Sequence, residues 1–463
     1  MGQHTHKLRI LLIHGAGASP RNSGDDAQAF SAAKRLKKLI PDCELAFARI
    51  YAEDDGSLWP GEDLVDSPHL YLLGHSALAD FMLKCTTHAR IKPLSVLITK
   101  GCLFMRVLRL LFAAWCKRAF GISVLLDKCG RRVLENLASC DAVYCSGGGN
   151  LNDIWLRQEL LPRTTTYRVA HLLGKPVFVS GQGVGPLNSW LGKRLLQWGV
   201  WHVKVFGCRD RDESVKLLTS LGISSQVAQP LGDDAMDLVP APSSRAQEIL
   251  KTEGVPVGQF TVITMHIRFT NFSVDFRNQG IPFMAELCDA LIEQCNCFIA
   301  FVPISHARER AYDYDIGDAF EVFAKMKKRN RAAFICGERY SPPEIKAVIA
   351  ESVALVGFSY HAWVFSLTSG HPTFGLYFGE YFRHKSSGLF AWYDRLNWVW
   401  DISKAKVQDI VNEVSSALGS AIMHNREIQA KTQLLVLNIE KPARLLNHYC
   451  QPQVSNYTRR PIP

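Results

Sequence analysis

Residues 8–50 read LRILLIHGAGASPRNSGDDAQAFSAAKRLKKLIPDCELAFARI and contain one complete unit of an α/β sheet. The run 8–13 is almost entirely apolar, which is typical of a strand buried on both faces of a parallel sheet. After a glycine-rich loop, apolar residues recur on one helical face of 27–40, and lysines and arginines occupy the other face. A proline ends this helix, and residues 44–50 form the next strand. The order strand, loop, helix, strand predicts a doubly wound sheet.

The same alternation continues along the chain, and a polar, proline-rich stretch at 240–244 separates two sets of units. Further strands are expected at 141–145, 176–180, 205–208, 260–265, 297–303, 332–336, 354–357 and 373–377. We therefore predict two Rossmann-like doubly wound α/β domains that face a cleft. The expected bounds are 1–238 for the N-terminal domain, 239–259 for a linker, 260–400 for the C-terminal domain, and 401–463 for a helix that packs back on the first domain, followed by a tail.

Composition excludes several classes of protein. Of the 463 residues, 47% are hydrophobic and 21% are charged, which excludes a disordered chain or a coiled coil. The net charge of +10 suits a protein that handles anions, but no readable pattern of basic residues indicates nucleic-acid binding. The 13 cysteines contain no C-x-x-C pair, and no secretory signal is visible, so we expect free thiols and a cytoplasmic location.

Residues 52–139 are the part of the chain whose role the sequence does not define. Within them, 100–132 mixes a long apolar run with arginines and lysines that interrupt any transmembrane window. Two alternatives remain open for this segment. It forms core helices of the first domain with basic outer faces, or it forms a basic amphipathic helix in peripheral contact with the inner face of a membrane.

Two glycine-rich loops follow predicted strands, SGGGN at 146–150 and GQGVGP at 181–186. Glycine lets bare N–H groups approach an anion, and the helix that follows each loop adds a favourable potential. These loops are therefore candidates for binding a phosphate or a carboxylate, although glycine-rich turns also occur for geometry alone.

The helix start at 22–27, NSGDDA, holds two adjacent carboxylates, Asp25 and Asp26. Asn or Asp at a helix start is often only a cap. Carboxylates at a strand end can also accept protons from sugar hydroxyls, so both readings stay open.

Two further candidates lie in the second domain. His361 falls in the first turn of a helix that Ser359 is expected to cap, where it can give a hydrogen bond or a proton to an anion. Arg268 comes directly after the strand 260–265 and would face the cleft, where its planar fork suits a carboxylate or a phosphate. The histidines and cysteines form no metal-ligand pattern, so no metal is expected.

Taken in order, these segments resemble the polysaccharide pyruvyl transferase family. The resemblance rests on eight segments: 22–27, 146–150, 181–186, RDRDES at 209–214, DDAMD at 233–237, PISH at 303–306, YSPPEI at 340–345 and GFSYH at 357–361. It covers roughly residues 8–390. It implies a fold similar to the GT-B glycosyltransferases, and a transfer of a carboxyethylidene group from phosphoenolpyruvate to a saccharide in the biosynthesis of an exopolysaccharide or a cell-surface glycan.

The resemblance also implies roles for individual residues. The family's Arg-x-His element corresponds to Ser359, Tyr360 and His361, with serine at the position of the arginine. Arg268 would then hold the donor, with Arg383 assisting. The expected sites are: catalytic His361, Asp25 and Asp26; donor-binding Arg268, Ser359, Tyr360, Gly181, Gly183 and Gly185; acceptor-binding Asn22, Gly148, Gly149 and Asn150. Phosphoenolpyruvate is a substrate, so no cofactor is expected, and the acceptor is a saccharide or a lipid-linked glycan.

Two other functions remain open at this stage. One is a nucleotide-sugar glycosyltransferase on a similar frame, in which Glu344 at a helix start would bind the ribose. The other is a non-catalytic relative that only binds an anionic glycan, which the serine at position 359 motivates. The sequence leaves the acceptor sugar, the linkage and the oligomeric state undefined.

Overall fold

The computed structural model describes residues 7–15, 22–50, 58–74, 92–269, 274–307, 313–336 and 340–450, which form two parallel sheets flanked by helices. Eight strands form the first sheet: β1 Arg9–Ile13, β2 Glu44–Arg49, β3 Asp63–Asp66, β4 Ala142–Cys145, β5 Gly148–Leu151, β6 Val177–Val184, β7 Val205–Cys208 and β8 Ala228–Pro230. Their order is β3-β2-β1-β4-β6-β7-β8, with β5 paired to β6, and every pair is parallel.

The second sheet has the same character. The strands that follow along the chain are β9 Thr261–His266, β10 Cys297–Phe301, β11 His306–Ala307, β12 Asp313–Tyr314, β13 Ala332–Phe334, β14 Ala354–Gly357, β15 Thr373–Tyr377 and β16 Val399–Asp401. Six of them form a parallel sheet in the order β13-β10-β9-β14-β15-β16, and β11 and β12 make a separate antiparallel pair.

Helices lie between the strands and after the last of them. Their bounds are α1 Ser23–Leu39, α2 Pro68–Leu73, α3 Lys92–Phe120, α4 Lys128–Ser139, α5 Leu161–Leu172, α6 Trp190–Val200, α7 Glu213–Ser220, α8 Ser243–Thr252, α9 Val274–Cys295, α10 Asp315–Lys325, α11 Pro342–Ala350, α12 Tyr360–Thr368, α13 Glu380–Phe390, α14 Val407–Gly419, α15 Ala421–Ile439 and α16 Lys441–Cys450. The predicted arrangement of two doubly wound α/β domains is confirmed.

The strand orders locate the functional edge of each sheet. In the first sheet the order reverses between β1 and β4, and in the second it reverses between β9 and β14. Ligands of open α/β sheets bind at such switch points, beyond the carboxyl ends of the strands. The segments that follow these four strands are the ones that carry most of the candidate site residues.

The glycine loops differ from the prediction. Strand β6 continues through Gly181 and Gly183, and the expected loop at 146–150 contains β5. Gln182 pairs with Gly148 on one side and with Cys208 on the other, so backbone hydrogen bonds carry the sheet through the glycines. A glycine run has no side-chain alternation, and for that reason sequence patterns do not show it as a strand.

The segment expected as a linker contains α8, which packs on α11 of the second domain. Arg245 and Glu344 join the two helices through a 2.8 Å hydrogen bond. At the other end of the chain, α16 returns to the first domain, where the side-chain amide of Asn447 donates to the carbonyl oxygen of Leu39 at 3.1 Å. Residues 451–463 of the predicted tail lie outside the described residues.

Three helices occupy most of the segment whose role the sequence left undefined. Helix α3 buries Val107, Leu110, Ala113 and Ala114, so this segment does contribute to the core of the first domain. Residues 51–57 and 75–91 lie outside the described residues. Among the helices that the structure describes, none is long and apolar enough to cross a membrane.

Candidate functional site

The first turns of two helices meet where the sheets face each other. Helix α1 follows β1 of the first domain, and α12 follows β14 of the second. Gly24 of α1 lies so close to His361 of α12 that a Cβ on this glycine would overlap the imidazole ring. A glycine is therefore needed at position 24 for this close approach, and the two domains come into direct contact at His361.

His361 is held in its neutral form. It is 8% exposed, and none of the described residues offers a hydrogen-bond partner to its Nε2 atom. Burial lowers its pKa well below the ordinary histidine value, and the nearby positive charges of Arg209, Lys385 and Arg268 lower it further. A buried histidine with positive charges nearby takes up a proton more readily when an anion offsets those charges.

The side chain of Arg209 packs against β5 and β6, the two strands of the first domain that contain Gly149 and Gly183. This arginine follows β7 directly and is buried at 6% exposure. A Cβ on Gly149 would lie 2.5 Å from its Nη2 atom, and one on Gly183 would also collide with its guanidinium. The guanidinium carbon lies 4.2 Å from the ring centre of Tyr360. Glycines at 149 and 183 thus make room for a cation that stacks on a tyrosine beside His361.

Two buried aspartates lie behind this arginine. Asp233 accepts hydrogen bonds from the side-chain amide of Gln28 at 2.7 Å and from the backbone N–H of Ala235 at 2.8 Å. Burial raises the pKa of Asp233 to about 7, although the positive charge of Arg209 opposes the rise. The carboxyl of Asp233 is therefore easier to protonate than an exposed aspartate.

Asp234 fixes the glycine strands in place. Its carboxylate accepts the backbone N–H of Gly147 at 2.6 Å and the hydroxyl of Ser180 at 2.7 Å. It also forms a buried ion pair with Arg35 of α1, at 2.5 Å. The N–H of Gly147 is thus already used inside the protein, and Asp234 connects both glycine segments to helix α1.

Arg268 lies after β9, as predicted, and its guanidinium is already held. Its Nε and Nη2 atoms donate to the two oxygens of Asp315 at 2.6 and 2.8 Å. Asp315 also accepts from His266 at 2.9 Å, and the guanidinium of Arg268 together with this hydrogen bond holds the pKa of the Asp315 carboxyl far below its usual range. The fork thus binds a protein carboxylate, while its charge still acts on His361.

The residues before Gly24 fasten α1 to the second domain. The backbone N–H of Ser23 donates to the carbonyl oxygen of Ile304 at 2.8 Å, and its hydroxyl contacts Nε2 of His306 at 3.1 Å. The side-chain oxygen of Asn22 caps α1 through the N–H of Gly24 at 2.9 Å. The 22–24 and 304–306 segments therefore form one hydrogen-bonded contact between the domains.

The two candidate carboxylates share this helix start. Asp26 is buried at 3% exposure, and Asp25 is half-buried. The Cγ of Asp25 would lie 3.8 Å from a Cβ on Gly15, at the end of β1. Both aspartates follow Gly24 directly in the first turn that His361 touches.

The structure brings most of the predicted residues to this edge, with different local roles. Ser359 precedes α12 as expected, but its side chain makes no capping hydrogen bond. The backbone N–H of Gly185 donates to the carbonyl oxygen of Leu151 at 2.9 Å, on the first-domain side. Asn150 lies next to Gly149 in β5, partly exposed.

Arg383, expected to assist in donor binding, and Glu344, the ribose-binding candidate, both form contacts within the protein. Arg383 pairs with Glu380 on the exposed face of α13 at 2.7 Å, and Lys385 of the same helix supplies the charge that acts on His361. The carboxylate of Glu344 closes a capping box with Ser341 at 2.8 Å and also accepts from Arg245.

Arg209, Asp233 and Lys385 were missed as site residues in the sequence analysis. Arg209 and Asp233 do lie in segments that carry the family resemblance, and Arg209 follows a predicted strand directly, which is the same signal that identified Arg268. Lys385 gives no such signal, because only the packing of α13 brings it near α12.

Comparisons with known proteins agree with this architecture. A family model described as polysaccharide pyruvyl transferase matches residues 22–379. A search of curated proteins found no match.

Among solved structures, Anabaena HepE in complex with UDP and glucose aligns with a TM-score of 0.55 and 10% identity, over 96% of this chain and 99% of that chain. The UDP-GlcNAc 2-epimerase from Neisseria meningitidis bound to UDP-GlcNAc aligns with a TM-score of 0.54 and 12% identity, over 94% and 100%. At these identities the likeness shows the fold, which is GT-B-like.

Proposed function

Because the chain belongs to the polysaccharide pyruvyl transferase family, we propose that it transfers a carboxyethylidene group from phosphoenolpyruvate to a saccharide and so forms a pyruvate ketal. The product would belong to an exopolysaccharide or a cell-surface glycan. The observation that carries the proposal is the neutral, buried His361 with three cations around it. A small donor with a phosphate and a carboxylate matches this charge pattern better than a neutral sugar does.

The donor would change the protonation of His361. Phosphoenolpyruvate brings about three negative charges at neutral pH, and opposite charge nearby favours the charged form of a histidine. Once the anion offsets Arg209, Arg268 and Lys385, the imidazole gains a proton and becomes a general acid. The acid is then formed only when the donor is present.

The chemistry balances with this acid and one base. Protonated His361 gives its proton to the methylene carbon of the donor, which becomes a methyl group, and C2 becomes an oxocarbenium centre. One sugar hydroxyl attacks C2 and loses its proton to Asp25 or Asp26. The second hydroxyl then closes the ring at C2, the C2–O bond to phosphate breaks, and the other hydroxyl proton leaves with the phosphate.

The acceptor side of the site belongs to the first domain in this proposal. Asp25 and Asp26 would be the bases, and Asn22, Gly148, Gly149 and Asn150 would contact the sugar. The side chain of Asn22 already caps α1, so it could reach a sugar only by sharing that oxygen. The bond between Ser23 and His306 fixes the position of this helix start relative to the second domain.

Serine at position 359 leaves the donor with one arginine fewer than the family pattern. Arg209 supplies a cation next to Tyr360, because its guanidinium carbon lies 4.2 Å from the centre of the tyrosine ring. In the proposal, Arg209 and Lys385 complement Arg268, whose fork is bound by Asp315.

The glycosyltransferase alternative loses its ribose-binding candidate, because Glu344 is used in the capping box of α11 and in the contact with Arg245. A glycan-binding relative without activity would share the cations but would release no phosphate. Incubation with phosphoenolpyruvate and a panel of saccharides distinguishes the three functions. Release of inorganic phosphate that depends on the saccharide is the expected result; release of UDP from UDP-sugars, or no release at all, would contradict the proposal.

A further inference from the structure

Helix α3 carries positive charge without any negative charge. Its 29 residues include six lysines and arginines and no aspartate or glutamate. It packs on α2, α4 and α5, all of which belong to the first domain. The exposed side of α3 therefore belongs to a surface of the first domain that is distinct from the contact between α1 and α12.

The outward face of α3 is largely apolar, whereas the core-helix alternative predicted a basic outer face for this segment. Val107, Leu110, Ala113 and Ala114 are buried on the inward face. The outer stripe consists of Phe104 (61% exposed), Leu108 (42%), Phe112 (47%), Trp115 (49%) and Phe120 (64%). At 1.5 Å per residue it extends for about 24 Å along the helix.

Apolar side chains lie on both the inward and the outward face of α3, and an apolar helix face is normally covered. Exposed apolar surface that is continuous over several turns marks a site of interaction. The rings of Phe112 and Trp115 lie 5.8 Å apart, and those of Trp115 and Phe120 lie 5.5 Å apart, so these three side chains form one aromatic cluster within the stripe.

A cationic cavity adjoins the C-terminal end of the stripe. It has a volume of about 860 Å³, and Trp115 belongs to both features. Arg118, Lys175 and Lys204 line it, and no aspartate or glutamate does. No carboxylate forms an ion pair with these three cations within the part of the chain that the structure describes. His171 and His202 stack in parallel in its wall, with ring centres 3.7 Å apart.

We propose that the outer stripe and this cavity together dock the first domain onto an anionic lipid surface. The stripe would lie at the boundary between headgroups and acyl chains, and the cavity would hold headgroup phosphates. Trp115 and Trp201, both at the cavity and both exposed, have the amphipathic rings that favour this boundary.

Charge complementarity selects this occupant. A protein partner for an apolar stripe does not require a cationic cavity beside it, whereas an anionic bilayer attracts each basic residue near its surface. Arg109 and Arg118 of α3 are exposed on the same helix as the stripe and add to this attraction. This inference does not depend on the proposed transferase activity.

The apolar half of the proposal is tested by flotation of the whole protein with vesicles. Phosphatidylcholine vesicles that contain phosphatidylglycerol should bind the protein at low salt, and rising salt should release it. The double variant Leu108→Gln, Phe112→Gln should weaken binding by about tenfold or more, because it removes exposed apolar area without disturbing the core. The matched control is Ile422→Gln, Leu437→Gln, at positions 75% and 62% exposed on α15, which should bind as the wild type does.

A second double variant tests the contribution of the cationic cavity. Lys175→Glu, Lys204→Glu should weaken binding to the anionic vesicles by about tenfold or more, since each basic residue near the surface contributes to attraction. Lys251→Glu, Lys404→Glu reverses two exposed charges elsewhere and should have little effect. The proposal would be overturned if the protein bound pure phosphatidylcholine vesicles as well as it binds the anionic ones. It would also be overturned if each control variant lost as much binding as the variant it is matched to. A lipid-free dimer that the Leu108, Phe112 variant dissociates would overturn it too, because a second copy would then cover the stripe.

Discussion

His361 is the residue on which the proposed chemistry depends. Among the described residues its Nε2 atom has no hydrogen-bond partner, so a glutamine at this position breaks no hydrogen bond of that atom. His361→Gln should therefore lower turnover by about a hundredfold or more, the usual scale for loss of a general acid, with little change in the free energy of unfolding. Steady-state phosphate release and thermal unfolding measure the two quantities.

His371→Gln is the matched control for this substitution. His371 also belongs to the second domain, and its Nε2 atom contacts the carbonyl oxygen of Ala350 at 3.0 Å, away from α1. Its replacement should leave turnover nearly unchanged. A His361→Gln enzyme that turns over as fast as the His371→Gln enzyme would make the histidine a structural residue.

The pKa of His361 should move when the donor binds. In the free protein this pKa lies well below its ordinary value, because of burial and three nearby cations. Phosphoenolpyruvate should raise it, and kcat should then fall as the pH rises through the pKa of the complex. Titration of the His361 ring by NMR, with and without the donor, measures the shift.

The resonance of His371 serves as the internal reference in that titration. Its pKa is lowered mainly by burial and no arginine or lysine contributes, so the donor should leave it in place. A His361 resonance that titrates at the same pH with and without saturating phosphoenolpyruvate would contradict the proposed formation of the acid.

Asp233 should make stability depend on pH. Its pKa is raised to about 7 in the folded protein, so the folded state keeps a proton that the unfolded state loses near pH 4. Stability should therefore fall by roughly 1.4 kcal/mol per pH unit as the pH rises between those values. Asp233→Asn removes this dependence. Gln28 can turn its amide to accept from the new side chain, because its oxygen has no partner among the described residues.

Chemical denaturation at pH 5 and pH 8 tests this effect. The stability of Asp233→Asn relative to wild type should increase from the lower pH to the higher. A difference between the two proteins that is the same at both pH values would show that Asp233 is ionised throughout.

At the scale of elements, the contact between α1 and α12 sets the position of the acid. A methyl group on Gly24 would overlap the His361 ring, so Gly24→Ala must displace the imidazole or the helix start. We expect about a tenfold to hundredfold loss of turnover, because a displacement of about 1 Å can cost that much. Gly419→Ala is the matched control, since nothing lies within 4 Å of its would-be Cβ. Full activity of Gly24→Ala would show that the contact does not position His361.

Many of the strands were predictable from short apolar runs, which also indicated two domains and the edge where the site lies. The continuation of β6 through Gly181 and Gly183 was not, because backbone hydrogen bonds carry it without any side-chain pattern. For α3 the sequence left two alternatives, and the one with core helices and basic outer faces does not match its largely apolar outward face. Apolar residues lie on both its faces, so periodicity alone does not show which one the core takes.

The candidate site was predictable only in part, for a related reason. His361 and Arg268 each follow a strand, so their position along the chain shows that they reach the cleft. The stacking of Arg209 on Tyr360 instead joins residues 151 positions apart, through space that two glycines leave open. Contacts of that kind are set by the packing of the two domains and have no local signature in the sequence.

At the scale of the whole molecule, both domains contribute to the charge around His361. Arg209 belongs to the first domain, and Arg268 and Lys385 belong to the second. A small anion bound among them would join the domains, and a ligand that binds only the folded state stabilises it. At a hundred times Kd the gain is about 2.7 kcal/mol.

Ligand-dependent thermal unfolding of the full chain tests the central claim most directly. Phosphoenolpyruvate should raise the melting temperature, inorganic phosphate should raise it less, and UDP-, GDP- and CDP-sugars should leave it unchanged. Arg209→Lys should weaken the effect of phosphoenolpyruvate, because lysine cannot form the stacked fork, whereas Arg211→Lys, at an exposed position two residues further on, should keep it. A larger shift with any nucleotide sugar than with phosphoenolpyruvate, or an equal shift in the Arg209 and Arg211 variants, would contradict the account.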